Sequence, residues 1–193
     1  MKKIILVLAA LAVTSVAAFA GPAISVGGGF GGDIEQKPAT GVLLVSPVIS
    51  LKADFQWEKF GVAADFDFNL VGNNPWKGDG STINREEIYV NPYANFNLGD
   101  FNFNIGPLLG LRFEQDKAED YADLIATTSL FFGGSLNCNY KITEKLNAYL
   151  EVPVIANNMD LGKKQDSVSI QDGVFYYQAN LEVIPKFGVT YTF

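Results

Sequence analysis

The sequence contains no histidine, one cysteine, two methionines and two tryptophans in 193 residues. Without histidine, the commonest general base and the commonest metal ligand are both missing. The lone Cys138 cannot close an intrachain disulfide, and its place in an apolar series reads as a small buried or lipid-facing filler. No cysteine pair, phosphate-cradling glycine loop or calcium-loop pattern occurs. The glycines at 27–29 and 31–32 read instead as a first strand relieved of side-chain bulk. No cofactor or metal site is therefore expected. Basic residues are scarce too, 14 against 21 acidic ones, for a formal net charge of −7. That balance argues against nucleic acid as a partner, and against binding anionic surfaces through charge alone.

Long apolar runs are confined to the start. Lys2 and Lys3 form a short positive region, 4–13 is apolar throughout, and Ala18-Phe19-Ala20 resembles a cleavage site before Gly21. The segment falls short of the roughly 17 to 25 residues a spanning helix needs, so 1–20 is expected to be a cleaved secretory signal peptide. No cysteine lies near the cleavage point, and lipid attachment there is not expected. Residues 21–193 then form one domain, long enough to bury a core. Taking Lys2 and Lys3 from the 14 basic residues leaves 12 against 21 acidic, about −9.

What is present is period-two alternation. Across 60–70 the even positions are Phe60, Val62, Ala64, Phe66, Phe68 and Leu70, and the odd ones Gly61, Ala63, Asp65, Asp67 and Asn69. Leu51, Ala53, Phe55 and Trp57 oppose Ser50, Lys52, Asp54 and Gln56 in the same way. Tyr89, Asn91, Tyr93, Asn95 and Asn97 form a polar set, and Asn102, Asn104 and Arg112 another, with Leu108 an exception. Stretches 130–140 and 146–152 alternate more weakly, and from 175 to 193 every odd residue is apolar or aromatic. Tight turns are expected at 58–59, 99–100 and 141–144, and longer polar loops at 33–40, 72–85, 114–124 and 157–172. Strands follow near 24–32, 42–57, 60–71, 86–98, 101–113, 125–140, 145–156 and 173–193, the last starting at 173 or as late as 181.

Eight strands with short turns at one end and longer loops at the other suit an all-β, antiparallel up-and-down barrel, with both termini at the short-turn end. A soluble barrel of the lipocalin kind would carry the same alternation with the faces inverted. Here the polar face is dominated by Asn, Ser, Gly, Thr and Tyr, and nearly every apolar set carries large Phe and Leu that a narrow barrel cannot hold. A charge on a lipid-exposed face costs roughly 2 to 4 kcal/mol at the bilayer midplane, and the apolar series contain none. The expected fold is a transmembrane barrel. One local conflict stands out: a two-residue turn at 99–100 sets Pro92 opposite Pro107, where two donors are missing. Unmet backbone groups are costly in hydrocarbon, so a bulge or shifted register is expected between Tyr89 and Gly110.

The chain ends on Phe187, Val189, Tyr191 and Phe193 in strict alternation. With its signal segment and this terminal pattern, it resembles the small eight-stranded outer-membrane barrels of Gram-negative-type bacteria, the group of the OmpA transmembrane domain, OmpX and OmpW. The resemblance implies residence in the outer membrane, contact with its lipid and lipopolysaccharide, delivery by periplasmic chaperones, a monomeric state, and recognition of the terminal aromatic signature by the barrel-assembly machinery. It covers the mature chain as architecture and brings no specific activity motif. Outer-membrane enzymes of this kind rely on a histidine paired with serine or an acid, so no enzymatic role is expected.

Trp57, Phe101, Tyr140 and Tyr191 are expected in an aromatic girdle at the periplasmic edge, and Trp76 in an outer loop. The inward face is expected to gather Lys52, Asp54, Asp65, Asp67, Arg112, Glu151, Glu182 and Lys186, charges tolerable in a narrow tube only when paired or hydrated. Three roles remain open from sequence. The first is a structural or surface-interaction barrel with a plugged lumen. The second is a small channel, including an OmpW-like conduit for apolar solutes, of which inward Leu108 and Phe131 are the only hints. The third is adhesion through the loops.

Overall fold

The computed structural model describes residues 21–36, 43–69, 82–117, 124–165, 168–172, 177–178 and 181–193. The signal segment, Trp76 and the expected start of the last strand near 173 lie outside the described residues. The strands are β1 (Ala23–Gln36), β2 (Leu43–Gln56), β3 (Phe60–Asn69), β4 (Thr82–Leu98), β5 (Phe101–Lys117), β6 (Leu124–Lys141) and β7 (Leu146–Gln165). Four segments make the eighth wall strand: β8 (Val168–Asp172), β9 (Tyr177–Gln178), β10 (Glu182–Val183) and β11 (Lys186–Thr192). From β1 to β7 each strand pairs antiparallel with the next, the four segments of the eighth wall strand pair with β7, and β1 pairs with β10 and β11, which closes the wall. This is the eight-stranded up-and-down barrel that the alternation implies.

The barrel is inside out relative to a soluble protein. Leu51 is 57 % exposed beside Lys52 at 4 %, and Phe187 is 62 % exposed beside Lys186 at 0 %. Such a belt of exposed Val, Ile, Leu and Phe over a buried polar interior is stable only where hydrocarbon covers it. The short turns lie where the sequence puts them. Trp57 N donates to Phe60 O across 58–59, Gly99 takes φ 62° in the 99–100 turn, and Thr143 Oγ1 accepts from Leu146 N in the third.

At the other end the strands run further than the sequence suggests. Residues 33–36, 82–85 and 114–117 were expected in loops and are paired strand. The expected loop 157–172 is largely the top of β7 and the segment β8, which pair with each other. Apolar alternation marks only the part of a strand that crosses hydrocarbon, whereas a backbone ladder continues into water without it. Between β6 and β7 the register shifts at Thr128/Ser129 and at Phe132/Gly133.

The expected shift between Tyr89 and Gly110 does not occur. Val90 pairs with Leu109 and Ala94 with Ile105 in one unbroken register, and between them 91–93 and 106–108 form no ladder pairs. The prolines do face each other across a local gap. Asn91 Nδ2 reaches into it and donates to Pro107 O at 2.7 Å, supplying by side chain the donor that Pro92 lacks. A Cβ at Gly106 would lie 1.9 Å from Pro92 O, so only glycine allows the two backbones this approach.

Candidate functional site: the barrel interior

An eight-stranded barrel encloses a space just wide enough for side chains to fill. Here the space is made usable by laying aromatic rings on glycines of adjacent strands. Tyr93 is paired with Gly61, Phe131 with Gly110 and Tyr149 with Gly188. A Cβ at Gly61 would sit 2.3 Å from the Tyr93 ring, and one at Gly110 would sit 2.4 Å from Phe131. Each ring thus lies flat along the wall over a position that no side chain could occupy.

The charged groups sort into two tiers. In the tier nearer the short turns, Lys52 Nζ lies 2.7 Å from Glu151 Oε2 and 3.8 Å from Asp65 Oδ2. Lys186 Nζ lies 3.3 Å from Asp65, 3.1 Å from Asp67 and 3.8 Å from Glu151, and also meets Ser50 Oγ and the Tyr89 hydroxyl. Ser135 Oγ donates to Glu151 at 3.2 Å. In the tier nearer the long loops, Arg112 bonds Glu87 at 2.7 Å and Glu182 at 2.5 Å. Arg85 bonds Asp33 at 2.8 Å, Glu114 at 3.2 Å and Glu182 at 3.4 Å. Every Lys, Arg, Asp and Glu named here is buried except Glu114, which is partly exposed. Charges so placed need partners on several sides; strands all round the wall supply most of them, while Asp33 Oδ1 and Glu87 Oε2 accept no hydrogen bond among the described residues.

Between the tiers lies an apolar layer of Val48, Tyr89, Leu108, Phe131, Ile155 and Ile184, none more than 2 % exposed. Leu108 and Phe131 are thus buried in one apolar cluster. Tyr89 and Phe131 meet edge to face at 6.0 Å. The Arg112 guanidinium lies 5.5 Å from the Phe131 ring centre, and Lys186 Nζ lies 4.8 Å from that of Tyr89.

Among the sequence-selected residues, Lys52, Asp65, Asp67, Glu151 and Lys186 come together in one tier, and Arg112 and Glu182 in the other. Asp54 instead accepts from the Tyr93 hydroxyl at 2.6 Å. Sequence reasoning passed over Asp33, Arg85, Glu87 and Glu114. The signal was parity: Arg85 and Glu87 continue the inward odd series of Tyr89 and Asn91. At the short-turn mouth the lining becomes neutral, with Asn102 Nδ2 donating to Asn95 and Asn97, and Asn139 Nδ2 to Asn102.

On the outside, Trp57 stacks on Phe60 at 5.0 Å, Phe101 packs on Tyr140 at 5.1 Å, and Tyr191 meets Phe193 edge to face at 5.4 Å, all at the short-turn end. Phe187, Val189 and Tyr191 pair in register with Phe30, Gly28 and Val26. Phe193 N donates to Ile24 O at 3.1 Å, which ties the last residue to the first strand.

No family model matches the chain, and no curated protein matches it by sequence. Among solved structures it is similar to Neisserial surface protein A (NspA), with a TM-score of 0.64 at 14 % identity, over 90 % of this chain and 99 % of that one. It is similar to the N-terminal β-barrel domain of Pseudomonas aeruginosa OprF, with a TM-score of 0.52 at 9 % identity, over 90 % and 100 %. A major outer membrane protein from Thermus thermophilus gives 0.50 at 12 % identity, also over 90 % and 100 %. The chain has the fold of the small eight-stranded outer-membrane β-barrels.

Proposed function

We propose that this protein is a structural or surface-interaction barrel of the bacterial outer membrane, with a lumen plugged by its own side chains. The observation that carries the reading is the burial of the inward side chains: paired charges in two tiers with an apolar layer between them. Long Lys and Arg stems crossing so narrow a tube exclude solute, and their ion pairs need internal partners because hydration is limited there. The likeness to a surface protein and to a major outer-membrane protein supports a role at the cell surface. The exposed apolar belt and its aromatic edge take outer-membrane lipid and lipopolysaccharide as partners. The terminal Phe187, Val189, Tyr191 and Phe193 serve the barrel-assembly machinery after escort by periplasmic chaperones. The barrel works as a monomer and carries no enzymatic function.

Reconstitution into planar bilayers tests this. A folded, heat-modifiable sample should stay silent. Steady, selective single-channel conductance that changes when Arg112 or Asp67 is replaced would reject the plug in favour of a pore.

A further inference from the structure

We infer that the permeability seal of this barrel is the apolar layer of Val48, Tyr89, Leu108, Phe131, Ile155 and Ile184, and not the ion pairs on either side of it. The inference rests on the plugged-lumen reading and says which side chains do the plugging.

Three observations carry it. The layer separates the tiers on the eighth wall strand and on β4, whereas β3 contributes only polar inward residues at these levels, Asp65, Asp67 and Asn69. On the eighth wall strand Glu182, Ile184 and Lys186 follow one another inward, with Glu182 on Arg112 and Lys186 on Asp67. On β4, Glu87 lies above and the Tyr89 hydroxyl below, where it donates to Asp67 at 3.3 Å. Among the described residues, the ion pairs and hydrogen bonds given above join each tier within itself and not to the other.

The layer is also clamped from both sides. Arg112 lies over Phe131 and Lys186 over Tyr89, the two rings touch, and both rest against Gly110. The cations that neutralise the tiers thus press the aromatic pair into the middle of the tube.

The third observation is chemical. Carboxylates and ammonium groups attract water, and a file of charged groups can pass ions between partners. A dry apolar constriction stops both by dewetting. With charge above and below it, the layer is the level at which polar partners are fewest, the Tyr89 hydroxyl and the β3 side chains Asp67 and Asn69 being those beside it.

The test uses full-length protein refolded into phosphatidylcholine vesicles loaded with potassium chloride, each sample first shown to be folded by its heat-modifiable migration. Phe131→Ala removes the ring and leaves every ion pair in place. Lys52→Met/Glu151→Met removes the shortest pair of the lower tier and leaves the layer intact. The expected result is potassium efflux through Phe131→Ala, with the wild type and the double variant both tight. A folded Phe131→Ala that stays tight overturns the inference, as does efflux through the double variant. If Phe131→Ala does not fold, Leu108→Ala/Ile155→Ala takes its place under the same criteria, because it opens the layer while keeping both rings. Efflux through the wild type would instead overturn the plugged reading itself, and the seal with it.

Discussion

Replacing Lys186 by methionine keeps the length of the side chain and removes only its charge and donors. The ammonium now stands 3.3 Å from Asp65, 3.1 Å from Asp67 and 3.8 Å from Glu151, with Ser50 at 3.4 Å. Without it, three fully buried carboxylates share Lys52, which bonds Glu151 at 2.7 Å but reaches Asp65 only at 3.8 Å and leaves Asp67 unneutralised in this tier. Removing one partner of a buried ion pair typically costs about 3 to 5 kcal/mol, because the remaining charge keeps its desolvation penalty. Lys186→Met should therefore lower the unfolding free energy by about that amount. Adding Asp67→Asn should restore at least about 1 kcal/mol of it, a coupling expected only of groups in contact. Urea titration in micelles, read by the gel shift between folded and unfolded forms, measures both. A Lys186→Met protein within about 0.5 kcal/mol of wild type, the range of an ordinary surface substitution, would refute the buried-pair reasoning.

Two further outcomes follow from the wall. Asn91→Leu leaves the Pro107 carbonyl without its 2.7 Å donor in a gap where the ladder is already open, and should cost about 1 to 3 kcal/mol in the same titration. An unchanged midpoint would mean that the gap does not depend on that side chain. Gly110→Ala places a methyl 2.4 Å from Phe131 and 2.6 Å from the Tyr89 Cβ, and should destabilise by about 1 to 3 kcal/mol through overpacking, whereas the methyl of Gly32→Ala meets nothing nearer than 3.8 Å and should cost little. Equal losses at the two sites would argue against ring-on-glycine packing.

The fold was legible because hydrocarbon imposes a strict rule on outward side chains. Phe60 through Phe68 and Phe187 through Phe193 obey it, and the turns at 58–59 and 99–100 punctuate it. The upper tier was half legible: Arg112 and Glu182 were expected inside, but Asp33, Arg85 and Glu114 lie in stretches expected to be loops, where the strands in fact continue. The apolar layer was half visible. Leu108 and Phe131 stand out as inward exceptions, but Val48, Ile155 and Ile184 look like ordinary strand residues until the closed wall brings them into one buried cluster. The proline pair misled because the backbone kept its register and a side chain, Asn91, made up the missing donor, a solution that pairing rules do not anticipate.

A plugged barrel requires a lumen that water does not cross. NMR of the refolded barrel in micelles, with magnetisation transferred from water to methyl groups, reads this at Val48, Leu108, Ile155 and Ile184. The predicted result is no water contact at these four methyl-bearing side chains, all buried in the layer between the tiers. Water cross-peaks at all four, in a sample whose gel shift shows it folded, would mean a hydrated path from mouth to mouth and would contradict the account.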